Sequence, residues 1–193
     1  MNRTELINHF IKKYDYKKYL EIGVFNPYRN FNKINIEYKI GIDPDSKTNP
    51  SIVTTSDNFF KYNKSKFDII FIDGLHIKEQ VIRDILNSLK FLTINGTIIL
   101  HDCNPKDEIS QKVPKETDHW NGNVWEAFVY IRTHYNGLNC FVIDTDEGCG
   151  IIQKNDNYKR IHIKEKINYN NFDKYKKKWL NLISIEDFLS NDS

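Results

Sequence analysis

Cysteine is scarce and unpatterned in this 193-residue chain: Cys103, Cys140 and Cys149 are three in number and show no CxxC spacing. An odd set without metal spacing suggests neither a disulfide framework nor a zinc cage, and fits a reducing compartment. Long apolar runs are missing too. No stretch approaches the roughly 18 continuous apolar residues of a membrane span, and the opening MNRTELINHF lacks the apolar core of a signal peptide. The expected setting is therefore soluble and cytoplasmic, with no membrane partner. An excess of one charge is also lacking, because 28 basic and 26 acidic side chains leave a formal +2 and the lysines are scattered. Nucleic acid is not an expected partner on that footing. There is no internal repeat. What remains is 39% hydrophobic and 13% aromatic, enough for one sizeable core and too short for two ordinary domains.

The apolar residues fall into patterned blocks. Leu6, Ile7, Phe10 and Ile11 recur at helical spacing, so a helix capped by Thr4 and reaching about Tyr14 is expected. Short strands follow at Tyr19–Ile22, Lys39–Ile42 and Ser51–Thr54, each ending in a polar turn. Phe67–Ile72 is a continuous apolar run, as a parallel strand covered on both faces requires. Val81, Ile82, Ile85, Leu89 and Leu92 then hold helical spacing, Asn95-Gly96 ends that element, and a strand over Thr97–Leu100 follows. Val124–His134 reads as another helix and Asn139–Ile143 as another strand. This alternation implies a doubly wound parallel α/β sheet. Cys140–Asp144 and Gly148–Gln153 are too close for a parallel crossover and should pair as an antiparallel hairpin. Trp179, Leu180, Leu182, Ile183 and Phe188 suggest helices near residues 170–190 docking on a core that spans about 17–154.

In an open parallel sheet the ligand lies beyond the carboxyl ends of the strands, so the residues directly after each run carry the chemistry. At the first end stand Glu21 and Gly23, where glycine lets the backbone approach a ligand; an ordinary turn glycine is the plain alternative. At the second, Asp43 follows Glu21 by 22 residues, near the separation of about 20 expected of a ribose-binding acid. It could equally begin a turn before Pro44. At the third, Ser56 and Asp57 could bring Asp57 to an adenine amino group, or Asp57 could simply cap the next helix. The fourth end, Asp73-Gly74-Leu75-His76, sets an acid and a histidine three residues apart, and His101-Asp102 sits at the tip of the neighbouring strand. His76 could instead be a helix first-turn residue, and His101 could only bond a nearby loop. Trp120 is a candidate to stack on an acceptor, whereas Trp125, at a helix start, is expected in the core.

With those residues in view, Tyr19 to about Gln153 resembles the class I S-adenosylmethionine-dependent methyltransferases. The resemblance is strongest over Phe67 to Pro105, and within the class it is nearest to small bacterial O-methyltransferases that modify sugars or natural products. The second and third glycines of the usual opening motif are absent, since Phe25, Asn26, Pro27, Tyr28 and Arg29 follow Gly23. The resemblance implies a Rossmann-like fold over a single domain, with an antiparallel strand closing the sheet. It also implies S-adenosylmethionine held by Glu21, Gly23, Asp43, Ser56, Asp57, Asp73 and Gly74. In the metal-dependent catechol-type members, acids at the positions of Asp73 and Asp102 hold magnesium and the position of His76 carries the base. Cys103 stands where an amide ligand is expected. Mg2+ is therefore an expectation of the resemblance, with His101 a further candidate ligand or acceptor-side group.

Methyl transfer asks mainly for alignment of the acceptor oxygen with the methyl–sulfur bond. A neutral histidine suits removal of a hydroxyl proton at cytoplasmic pH, so His76 is the expected base and Asp73 its orienting partner. The expected reaction is O-methylation of a small hydroxylated acceptor. Two other readings stand beside it: a catalytically idle S-adenosylmethionine-binding module, and a nicotinamide-dependent oxidoreductase. The absent GxGxxG and the terminal hairpin weigh against the latter. Tyr14, Tyr16 and the C-terminal aromatics are candidates for a homo-oligomer interface.

Overall fold

A computed structural model describes residues 1–191. The chain opens with α1 (Arg3–Tyr14), whose first turn is closed by Asn2 and Glu5 in a reciprocal capping box. The cap is thus Asn2, not Thr4. Asn2 satisfies the Glu5 amide while the Glu5 carboxylate returns to the Asn2 amide, which settles two otherwise orphaned donors at once. Leu6, Ile7, Phe10 and Ile11 form its buried stripe; burying each such side chain stabilises by about 1.5–3 kcal/mol.

Strands β1 (Lys18–Ile22), β2 (Tyr38–Asp43), β3 (Ile52–Val53), β4 (Phe67–Ile72), β5 (Leu92–Leu100), β6 (Leu138–Ile143), β7 (Cys149–Lys154) and β8 (Leu182–Ile183) make one sheet in the order β3-β2-β1-β4-β5-β7-β6-β8. Helices α2 (Ser56–Tyr62), α3 (Lys78–Phe91), α4 (Val124–His134), α5 (Tyr169–Leu180) and α6 (Ile185–Asn191) complete the chain. β4 sits between β1 and β5, parallel to both. Its side chains alternate across the sheet. Ile70 and Ile72 join the layer of α2, α3, α4 and α5, while Ile69 and Phe71 join the layer of α1 and α6. An alternating strand can read as a continuous apolar run only when both faces are covered, as here.

The hairpin is present: β7 lies antiparallel between β5 and β6. Its turn carries Asp146 and Glu147 with φ of 45° and 65°, which aims both acids toward the tips of β4 and β5. Two expectations shift. Asn95-Gly96 does not separate the helix from the strand, because β5 runs from Leu92 through Leu100 and absorbs the turn as a register irregularity against β4. The C-terminal segment is also more than helices: after α5 the chain adds β8 to the sheet, parallel to β6. Trp125 is fully buried against Phe172 and Trp179. Tyr16, expected at a surface, is buried, and its hydroxyl donates to the Asn95 carbonyl at 2.6 Å. Phe172, Trp179 and Phe188 are likewise buried, whereas Tyr14 is 42% exposed. No helix of the described residues is long and apolar enough to cross a membrane.

Candidate active site

The carboxyl ends of β1, β2 and β4 and the start of α2 surround a cavity of about 430 Å³. Gly23, Asp43, Ser56, Asp57, Asp73 and Gly74 all line it, so the residues at four separate strand ends meet along one edge of the sheet. Gly23 has φ of +93°, and a Cβ there would fall 2.2 Å from the Asp73 carbonyl oxygen. Only glycine lets these two strand tips approach so closely. The Asp73 amide donates to the Ile22 carbonyl at 2.9 Å and holds that approach. Asp43 lies partly buried at the tip of β2; burial pushes its pKa up, although the Asp45 amide donates to its carboxylate at 2.8 Å. Asp57 does not cap α2. Thr55 does, its hydroxyl accepting from the Asn58 amide, while Asp57 faces Arg83 at 3.5 Å.

Glu21, expected beside the ligand, borders a second cavity of about 450 Å³ on the other side of Gly23, together with Arg3, Arg29, Asn30, Asp73 and Asp146. The two cavities share Gly23, Phe25 and Asp73. Glu21 is buried, accepting from the Tyr19 hydroxyl and from the Asn30 amide at 2.9 Å. Burial pushes its pKa up to about 8, so it carries a proton at neutral pH.

The tips of β4 and β5 meet in a cluster of acids and imidazoles. His76 Nε2 stands 3.1 Å from Asp73 Oδ1, and its Nδ1 lies 3.1 Å from the Trp120 carbonyl and 3.3 Å from Asp102 Oδ2. The Trp120 ring stacks on the imidazole at 5.4 Å. Gly122, with φ of +59°, presses the same loop against the His76 backbone, where a Cβ would meet the His76 carbonyl at 1.9 Å. Burial lowers the pKa of His76, but Asp73 and Asp102 outweigh that and leave it raised. His101 is buried too; its Nδ1 lies 3.1 Å from Asp102 Oδ2 and its Nε2 3.6 Å from Asp146 Oδ1. Burial again opposes protonation there, and Asp73, Asp102 and Asp146 overcome it, so His101 is a proton-bearing counter-ion. Arg3 completes the cluster from α1: its guanidinium donates to Asp73 Oδ2 at 2.7 Å and to Asp146 Oδ2 at 2.9 Å. Asp73 has its pKa lowered in consequence: burial would raise it, and His101, His76 and Arg3 reverse that.

Among the described residues, Asp73, His76 and Asp102 form a group whose donor atoms all lie within 4.8 Å of one another, the spacing a cation would need. His101 is not in that group. Beside Asp102 stands Asn121, whose Nδ2 donates to Asp102 Oδ1 at 2.6 Å while its own buried Oδ1 has no hydrogen-bond partner. An amide oxygen absent at Cys103, which is buried, is thus present from a different loop. Two carboxylates and an unpartnered amide oxygen fit a hard divalent cation, and the imidazole widens the fit to softer ones.

Arg3, Asn121 and Asp146 were not singled out from the sequence. Arg3 sits on an otherwise ordinary amphipathic helix, and nothing local marks it. The acids of the hairpin turn could have been inferred, because an antiparallel return strand must turn at the ligand end of the sheet.

An open sheet with β7 reversed between β5 and β6, a glycine-tight first strand tip and an acid after β2 define the class I methyltransferase architecture. The comparisons agree. Residues 45–103 match the family described as a methyltransferase domain. A methyltransferase from Podospora anserina, solved with S-adenosylhomocysteine bound, is similar at a TM-score of 0.60 and 17% identity, covering 80% of this chain and 78% of that one. The O-methyltransferase TomG from Streptomyces achromogenes, involved in tomaymycin synthesis and solved with S-adenosylmethionine, gives 0.57 at 11% identity, with 79% of each chain covered. An O-methyltransferase from Bacillus cereus gives 0.54 at 15%, with 78% of each covered. No curated protein matches. The fold is thus that of S-adenosylmethionine-dependent methyltransferases, and the match over residues 45–103 agrees with the sequence resemblance.

Proposed function

We propose that this chain, acting as a single methyltransferase domain, moves the methyl group of S-adenosylmethionine to an oxygen of a small hydroxylated acceptor such as a sugar or natural product. One observation carries the reading: Gly23, Asp43, Asp57 and Asp73 line one cavity, and Asp73 also touches His76 of the histidine–acid cluster. Asp43 accepts the ribose hydroxyl protons. Glu21 is the uncharged floor of the adjoining cavity, where Arg3 and Arg29 supply positive charge for a carboxylate tail. Asp73, shared by both cavities, brings its negative charge to where a sulfonium would lie between them.

The reaction needs alignment more than acid–base strength. Trp120, stacked on His76, shields the cluster from water and sets the imidazole plane. The acceptors facing both ring nitrogens favour the protonated form of His76, so it acts as base once one of those nitrogens is released to an incoming hydroxyl. A divalent cation held by Asp73 and Asp102, with Asn121 as a further oxygen donor, would acidify that hydroxyl and fix its direction.

Calorimetry is the test. S-adenosylmethionine and S-adenosylhomocysteine should bind at micromolar levels, Asp43→Ala should weaken both, and nicotinamide dinucleotides should not bind comparably. Tight dinucleotide binding would overturn the reading. The idle-module alternative keeps Gly23 and Asp43 but needs no His76. His76→Ala should retain cofactor binding and abolish methyl transfer if the chain is an enzyme.

A further inference from the structure

The cavity assigned above to the adenosyl group has a feature that neither ribose binding nor methyl transfer uses. Asp84, from the second turn of α3, lines it while only 1% exposed. It forms no ion pair among the described residues, and the adjacent Arg83 turns to Asp57 instead. Its neighbours are amide and hydroxyl: Gln80, one helical turn back on the same face, donates Nε2 to Asp84 Oδ1 at 2.9 Å and to Ser56 Oγ at 3.1 Å. Gln80 and Ser56 line the cavity as well. A carboxylate taken out of water without a cation is costly, and the cost falls when a further donor reaches it.

We propose that Asp84, braced by Gln80 and Ser56, reads the exocyclic amino group of adenine and so makes the chain specific for the adenosyl form of its ligand. The inference rests on the cofactor reading above and moves base recognition from Asp57, which is largely exposed and paired with Arg83, to a side chain under the cavity floor. An ionised carboxylate only accepts hydrogen bonds. It therefore suits the two N–H donors of the amino group, and it repels the carbonyl oxygen that hypoxanthine carries in the same place. Gln80 fixes the carboxylate from the helix side, which leaves its remaining acceptor capacity for the ligand.

The experiment compares S-adenosylhomocysteine with S-inosylhomocysteine by calorimetry; the two differ at the 6-substituent and, through it, at the adjoining N1, an acceptor in adenine and a donor in hypoxanthine. The unaltered chain should prefer the adenosyl ligand by at least about tenfold, as one hydrogen bond to a charged group implies. Asp84→Asn, whose amide can donate to the carbonyl, should bring the two within roughly threefold of each other, with thermal melting checking that the variant is folded. Equal weakening of both ligands by Asp84→Asn, with the preference intact, would show that Asp84 only supports the helix and would overturn this inference alone. Failure of the unaltered chain to bind either ligand would overturn the cofactor reading and this with it. Should Asp84→Asn not fold, a crystal structure of the unaltered chain with S-adenosylhomocysteine decides. The adenine amino nitrogen within about 3.2 Å of the Asp84 carboxylate supports the assignment, and the same nitrogen on Asp57 or in solvent refutes it.

Discussion

Removing Arg3 should loosen the site from a residue that no motif marks. Its guanidinium bridges Asp73 at 2.7 Å and Asp146 at 2.9 Å, and the three side chains are 30%, 19% and 22% exposed. These pairs are neither surface pairs, typically worth about 0–1 kcal/mol, nor fully buried ones, whose breakage costs about 3–5 kcal/mol. Two charge-assisted hydrogen bonds in partial burial place Arg3→Ala near 2–4 kcal/mol. For a chain of this size each kcal/mol lowers Tm by about 2–4 °C, so a value near 3 kcal/mol corresponds to a fall of roughly 6–12 °C by differential scanning calorimetry. The pH dependence sharpens the test. Arg3 helps hold both Asp73 and Asp146 below their ordinary range, although burial alone would raise them. A carboxylate depressed in the folded state contributes stability that is present above its unfolded pKa, near 3.8, and is lost as pH falls through the folded value. The gap between the unaltered chain and Arg3→Ala should therefore be full above about pH 4–5 and close below it. A Tm change under about 2 °C at pH 7, or a gap that widens on acidification, would refute the account of Arg3 as the bridge between the two acids.

Glu21 supplies a prediction of opposite sign. Its folded pKa, about 8, lies above the ordinary 4.5, so the folded state holds a proton that the unfolded state has lost, and stability declines as pH rises between those values. Glu21→Gln keeps acceptors for Tyr19 and Asn30 without the charge; its denaturation midpoint should drift less from pH 5 to 8 and exceed that of the unaltered chain at pH 8. Parallel pH profiles for the two proteins would contradict this. Gly23→Ala puts a methyl group 2.2 Å from the Asp73 carbonyl at a φ that costs a non-glycine residue about 1–3 kcal/mol. Cofactor affinity should drop by at least tenfold, and retained affinity would mean that the two strand tips are not fixed as described. If a divalent cation serves the reaction, chelator should abolish turnover, Asp102→Ala should mimic it, and Mn2+ binding followed by electron paramagnetic resonance should disappear in Asp102→Ala. Unchanged turnover in chelator would remove the metal from the mechanism.

The sequence alone determined the parts governed by local periodicity and by strand ends. The unbroken run Phe67–Ile72 demanded cover on two faces, the helical stripe at Leu6, Ile7, Phe10 and Ile11 demanded a sheet to lie on, and the short link from Ile143 to Cys149 forbade a parallel crossover. Those three constraints suffice for a doubly wound sheet with a reversed last hairpin, and the rule that ligands lie beyond carboxyl ends selected Gly23, Asp43, Asp57 and Asp73. Only the tertiary structure decided which side chains from remote positions converge on those ends. Arg3 reaches Asp73 across 70 residues of chain and Asp146 across 143, and no local spacing encodes such a meeting. It likewise turned Asn121 toward Asp102, buried Tyr16, and raised the pKa of the two histidines by surrounding them with acids. Protonation state is set by burial and by charges contributed from several elements at once, so it becomes readable only when those elements have been packed together.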